Sequence, residues 1–170
     1  MFVNVLLFSL VIICTYTDLK SRKIYNVIIF PTLLIALTSH LVTGGLSGFL
    51  SSLGGFAVGL AILLIPYFLG GMGAGDVKLL AVIGALKGTA FVLHTAIYMG
   101  LVGGVLAIFV LLFHKNIAMR LKVVVYKLVG VKIPLALGED ARKAKYPYGV
   151  AIAAGACMAF FFNHIVLINF

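Results

Sequence analysis

Long apolar runs with almost no charge inside them limit this chain more severely than any other feature. Six can be read: Phe2 to Thr17, Tyr25 to Val42, Phe49 to Leu69, Val77 to Leu86, Phe91 to Phe113 and Tyr148 to Ile168. A helix that crosses a bilayer needs about 20 predominantly apolar residues. Most of the runs approach or exceed that length, and the short fourth one suits a helix that stops within protein, where water or side chains can satisfy its ends. With 64% of residues hydrophobic and 10% charged, no water-soluble domain of this size could cover itself with polar surface. The sequence therefore predicts an all-α polytopic membrane protein of about six transmembrane helices. It also predicts a single membrane-embedded domain over residues 1–170, with no room for a separate soluble one. The first run has neither a basic leader before it nor a small-residue cleavage pattern after it, so it is expected to remain as the first helix.

Charge sets the orientation. The formal net charge is +9. Lys20, Arg22 and Lys23 lie between the first two runs, Lys78 precedes most of the fourth, and Lys115 through Lys145 fill the last loop. With the N-terminus outside, nearly every cation is cytoplasmic, and Lys87 alone falls on the far side. This bias accounts for the basicity without nucleic acid, for which the chain shows no interleaving of aromatic and basic residues. In the last loop Ile117, Leu121, Val124, Val125 and Leu128 share a helical face flanked by Lys115, Arg120, Lys122 and Lys127, with Gly130 at the C-cap position. That pattern predicts an amphipathic helix on the cytoplasmic surface, its cations over anionic lipid headgroups. Cys14 and Cys157 sit inside apolar runs and form no C-x-x-C pair, so they read as packing residues and no metal or cofactor is implied. Gly55 with Gly59, Gly84 with Gly88 and Gly100 with Gly104 are spaced for close helix contact.

The chain has four acidic residues. Glu139 and Asp140 lie in the basic loop, where balancing charge explains them. Asp18 ends the first apolar run and Asp76 begins the fourth, both on the inferred cytoplasmic side. Taken singly, Asp76 could be a helix N-cap and Asp18 a first loop residue. Ionisable groups at the edge of a membrane bundle are nevertheless costly and usually face its interior, so the two together point to a site. Two adjacent carboxyls can share one proton. The ionised member can then take a proton from water while the other protonates the carbonyl under attack, which is peptide hydrolysis without metal or covalent intermediate. The histidines are scattered, and no G-x-S-x-G or H-E-x-x-H motif occurs. The loop Gly70-Gly71-Met72-Gly73-Ala74-Gly75 would let an extended peptide approach beside Asp76, with Gly73 and Gly75 as candidate substrate-binding positions. Since Asp18 closes a helix and Asp76 opens one, the helix dipole predicts the shared proton on Asp18 and the charge on Asp76.

Gly73-Ala74-Gly75-Asp76 fits the G-x-G-D signature of membrane aspartyl peptidases, and Gly75-Asp76-Val77-Lys78-Leu79-Leu80 resembles the type IV prepilin peptidases among them. Asp18-Leu19-Lys20-Ser21-Arg22-Lys23-Ile24-Tyr25-Asn26 is similar to that family's first catalytic segment, with Tyr25 where proline is usual. Tyr146-Pro147-Tyr148-Gly149-Val150-Ala151-Ile152-Ala153 resembles the Pro-x-Gly stretch opening its final helix. The resemblance implies Asp18 and Asp76 as catalytic, and Arg22, Lys23, Asn26, Pro147, Tyr148 and Gly149 as substrate-binding. It implies cleavage of the basic leader of a prepilin or pseudopilin at the cytoplasmic face of a bacterial plasma membrane. The cysteine-bearing methyltransferase region of larger members is not in this sequence, so the resemblance is to the short form of tight-adherence (Flp) pilus systems.

Two rival classes use the same features. A proton-coupled transporter or channel subunit would carry protons on Asp18 and Asp76, though such sites usually lie near the bilayer midplane and many transporters carry an internal repeat, which is not evident here. A structural membrane subunit would need no chemistry at all.

Overall fold

The computed structural model describes residues 2–113 and 148–162. The chain divides into two compact units, one of Met1–Val102 with Pro147–Phe170 and another of Gly103–Tyr146. Among the described residues every regular element is helical: α1 (Phe2–Ser21), α2 (Asn26–Phe68), α3 (Ala74–Lys87), α4 (Thr89–Phe113) and α5 (Tyr148–Phe162). The expected surface helix, Pro147 and the end of the last apolar run lie outside the described residues.

The all-α membrane character expected from the sequence stands, but six spans do not. Three helices are long and apolar enough to cross a bilayer: α1, α2, and Thr89–Leu106 within α4. The second and third expected spans are merged in α2, whose 43 residues are interrupted at Gly45 by φ 60 and ψ −149, a conformation costly for any residue with a Cβ. The chain reverses there. Asn26 lies beside Lys78 and His40 beside Leu86, whereas Ser52 meets Ala85 and Gly59 meets Leu80 and Ala81. One arm of α2 thus runs with α3 and the other against it.

In α1, Leu7, Leu10, Val11, Cys14 and Asp18 are buried, a stripe at helical spacing, while Val5, Ile12, Ile13, Tyr16 and Leu19 are exposed. Apolar residues on the outer face are what a lipid solvent selects. Thr15 and Ser21 donate their hydroxyls to carbonyls one turn back, at 2.7 and 2.8 Å, which satisfies them without water.

Helix α3 is the central element. Asp76, Val77 and every residue from Leu79 to Leu86 are buried. At 14 residues it is about 21 Å long, short of a hydrocarbon core of about 30 Å. Its last carbonyls would be orphaned in an apolar interior, and side chains of α2 take them up. Ser52 Oγ donates to Ala85 O at 2.7 Å, and His40 Nε2, as the N–H tautomer, to Leu86 O at 3.1 Å. Small residues allow this approach. A Cβ on Gly55 or Gly84 would meet the other's carbonyl, and one on Gly59 would lie 2.7 Å from Leu80 O. Gly100 and Gly104, expected to do the same, have nothing within 4 Å. Elsewhere Gly155 of α5 sits against the α4 backbone at Thr95 and Met99, and Phe8 and Phe160 pack edge to face at 4.9 Å, joining α1 to α5.

Candidate active site

Helix α1 stops just after Asp18 because Arg22 turns left-handed, φ 51, with its N–H donating to Asp18 O at 2.8 Å. Residues 23–25 run without regular structure into α2. Tyr25, at the N-cap, has φ −84 and ψ 132. That is close to what a proline would impose, so the departure from the family pattern leaves the path of the segment unchanged.

The glycine loop returns the chain to the same end of the bundle. Gly73 caps α3, and its N–H donates to Asp76 Oδ2 at 3.1 Å. This is the N-terminal arrangement in which a carboxylate satisfies a free helix amide. A Cβ on Gly75 would stand 2.9 Å from that of Ile24. The room left by Gly75 is therefore filled by the segment following Asp18, and this contact brings the two aspartate-bearing stretches together.

Asp18 is held from a third direction. Gly149, the second residue of α5, donates its N–H to Asp18 Oδ2 at 3.0 Å in a buried bond, and a Cβ there would come within 2.7 Å of the same oxygen. Each aspartate is thus gripped through Oδ2 by a glycine amide at a helix N-terminus, and Oδ1 takes no hydrogen bond among the described residues. Both are nearly closed off, with Asp18 6% and Asp76 8% exposed.

Asp18, Arg22, Lys23, Ile24, Tyr25, Asn26, Gly73, Gly75 and Asp76 line one cleft of about 320 Å³. Seven of the residues singled out in the sequence meet there. Gly149 is not in the lining and stands behind Asp18, with Tyr148 beginning the same helix. Ile24 and Tyr25 were missed, although Ile24 belongs to the segment quoted for the family. Lys78 donates to Asn26 Oδ1 at 3.0 Å and lies over the Phe30 ring at 5.6 Å, tying the start of α3 to the start of α2.

Burial, opposed by the Gly73 N–H and reinforced by the charge of Asp18, pushes the Asp76 carboxyl up to about 6. The dipole expectation that the proton resides on Asp18 meets a second helix N-terminus here. It considered only the helix that each aspartate belongs to, whereas Asp18 also faces the positive end of α5.

These features define an all-helical membrane protein with two buried carboxyls sharing a cleft. Residues 5–108 match the family model described as the type IV leader peptidase family, and the chain belongs to that family: it is a peptidase, and so a hydrolase. The match takes in Asp18 and Asp76 and ends before Tyr148 and Gly149. No curated protein and no solved structure matches the chain.

Proposed function

We propose that the chain is an aspartyl endopeptidase that removes the basic leader of a prepilin or pseudopilin at the cytoplasmic face of the bacterial plasma membrane. Asp18 and Asp76 are its catalytic pair. The observation that carries this reading is the pair of buried carboxyls in one cleft, each oriented by a main-chain amide.

The pair works with a single proton between its members and titrates as a unit. The ionised carboxylate takes a proton from a water molecule as the water oxygen attacks the scissile carbonyl carbon. The protonated carboxyl gives its proton to the carbonyl oxygen, forming a neutral gem-diol. The pair then gives its proton to the amide nitrogen and takes one from a gem-diol hydroxyl as the C–N bond breaks, so that a carboxylic acid and an amine leave and the pair holds one proton, as it began. Arg22, Lys23, Asn26, Gly73 and Gly75, which line the cleft, together with Pro147 and, at the start of α5, Tyr148 and Gly149, border the peptide. The cations between Lys115 and Lys145 suit anionic lipid headgroups at that face.

Purified protein incubated with a candidate prepilin should yield the shortened product. Asp18→Asn and Asp76→Asn should each slow cleavage by about a thousandfold or more. Undiminished cleavage by both variants would refute the pair.

A further inference from the structure

Lys87 is the cation that the charge bias leaves on the far side, and the proposed chemistry makes no use of it. It ends α3, the helix that Asp76 begins. Its Nζ donates to Asn4 Oδ1 of α1 at 2.9 Å. The same ammonium lies over the ring of Phe91 in α4 at 5.3 Å and over that of Phe160 in α5 at 5.5 Å. A half-buried cation among apolar helices needs such partners, and here they come from three different helices.

Those helices matter at their other ends. Helix α1 carries Asp18, α3 carries Asp76, and α5 carries the Gly149 amide that holds Asp18. Helices α1 and α3 run in opposite directions, with Asn4 and Lys87 together at one end and the two aspartates at the other. The Lys87–Asn4 bond is the one hydrogen bond joining α1 directly to α3 among the described residues. A slip of one residue along a helix moves it about 1.5 Å, and misplacement of reacting groups by about 1 Å can cost a hundredfold in rate.

We infer that Lys87, clasped by Asn4 between Phe91 and Phe160, is a positioning residue that fixes the register of α1, α3 and α5 and thereby the separation of Asp18 and Asp76. This rests on the peptidase reading for its kinetic consequence, though not for its structural one.

Two variants and two readouts test it. Lys87→Met removes the charge and the donor, and Asn4→Leu removes only the acceptor. In prepilin cleavage each should lower kcat with KM nearly unchanged, Lys87→Met by about tenfold or more and Asn4→Leu by less. The double variant should be no worse than Lys87→Met, because both disrupt one contact. Lys87→Arg, which keeps the cation over the rings, should retain most of the rate. Independently of activity, nitroxide labels at Lys20→Cys and Ala74→Cys report the distance between the aspartate ends of α1 and α3 by electron–electron double resonance. Cys157 is replaced by alanine in this background, and Cys14 is fully buried and does not label. The distribution should widen or shift in Lys87→Met and Asn4→Leu. If both variants keep the parental distance distribution and kcat, the inference fails. If Lys87→Met does not accumulate as folded protein, Asn4→Leu decides alone by the same criterion. If the parental protein cleaves no prepilin, the peptidase assignment fails, and the distances still judge the clasp.

Discussion

A Cβ at position 149 would sit 2.7 Å from Asp18 Oδ2 and 3.1 Å from its Cγ. The neighbour that must give way is a buried carboxylate with its own hydrogen bond to that same residue. Gly149→Ala should therefore reduce cleavage by about a hundredfold, while Gly100→Ala, which meets nothing within 4 Å, should leave the rate unchanged. Kinetics on the two variants checks this. The charge of Asp18 is one cause of the raised value of Asp76. In Asp18→Asn that charge is gone, so Asp76 should ionise at lower pH than in the parent, as followed by the infrared carboxyl band. An unchanged or higher midpoint would show that the two groups do not interact. Arg22 is the one residue other than glycine with positive φ among the described residues. Arg22→Val should be less stable than Arg22→Gly by about 1–2 kcal/mol, measured by thermal unfolding in detergent.

Among the elements, the closest approaches are those of α2 on α3. Gly55→Ala or Gly84→Ala places a methyl group against a main-chain carbonyl that cannot rotate away, at a cost of about 1–3 kcal/mol, whereas Gly104→Ala should cost nothing measurable in the same unfolding assay. These contacts also mark what the sequence could and could not convey. The small-residue spacing of Gly55, Gly59 and Gly84 was legible, but the identical spacing of Gly100 and Gly104 leads to open surface, because spacing says nothing about which face meets a neighbour. Hydropathy located the two arms of α2 but not their continuity through Gly45. The aspartates were legible because acids are scarce in this chain. Their donors were not, since a main-chain N–H carries no residue signature and Gly149 is more than a hundred residues from Asp18. The dipole argument left α5 out for the same reason: that helix meets Asp18 only through tertiary packing.

At the scale of the whole molecule, α3 is the helix most enclosed among the described residues. Its residues from Leu79 to Leu86 are buried on all sides, and its far end is fastened through Ser52, His40 and Lys87 to other helices. Amide exchange in nanodiscs should accordingly be slowest there, with protection falling towards the exposed ends of the other helices. Faster exchange in α3 than in α1 would contradict this arrangement.

Because both aspartates are oriented by peptide N–H groups, no change of side chain short of proline can delete either donor. Added bulk at Gly73 or Gly149 would press directly on the carboxylates. The rim of the cleft is built from ordinary side chains, Arg22, Lys23, Tyr25 and Asn26, and can be rewritten one position at a time. Changes at Lys23, Tyr25 or Asn26 alter the rim alone, whereas a change at Arg22 also removes a charge that acts on Asp18.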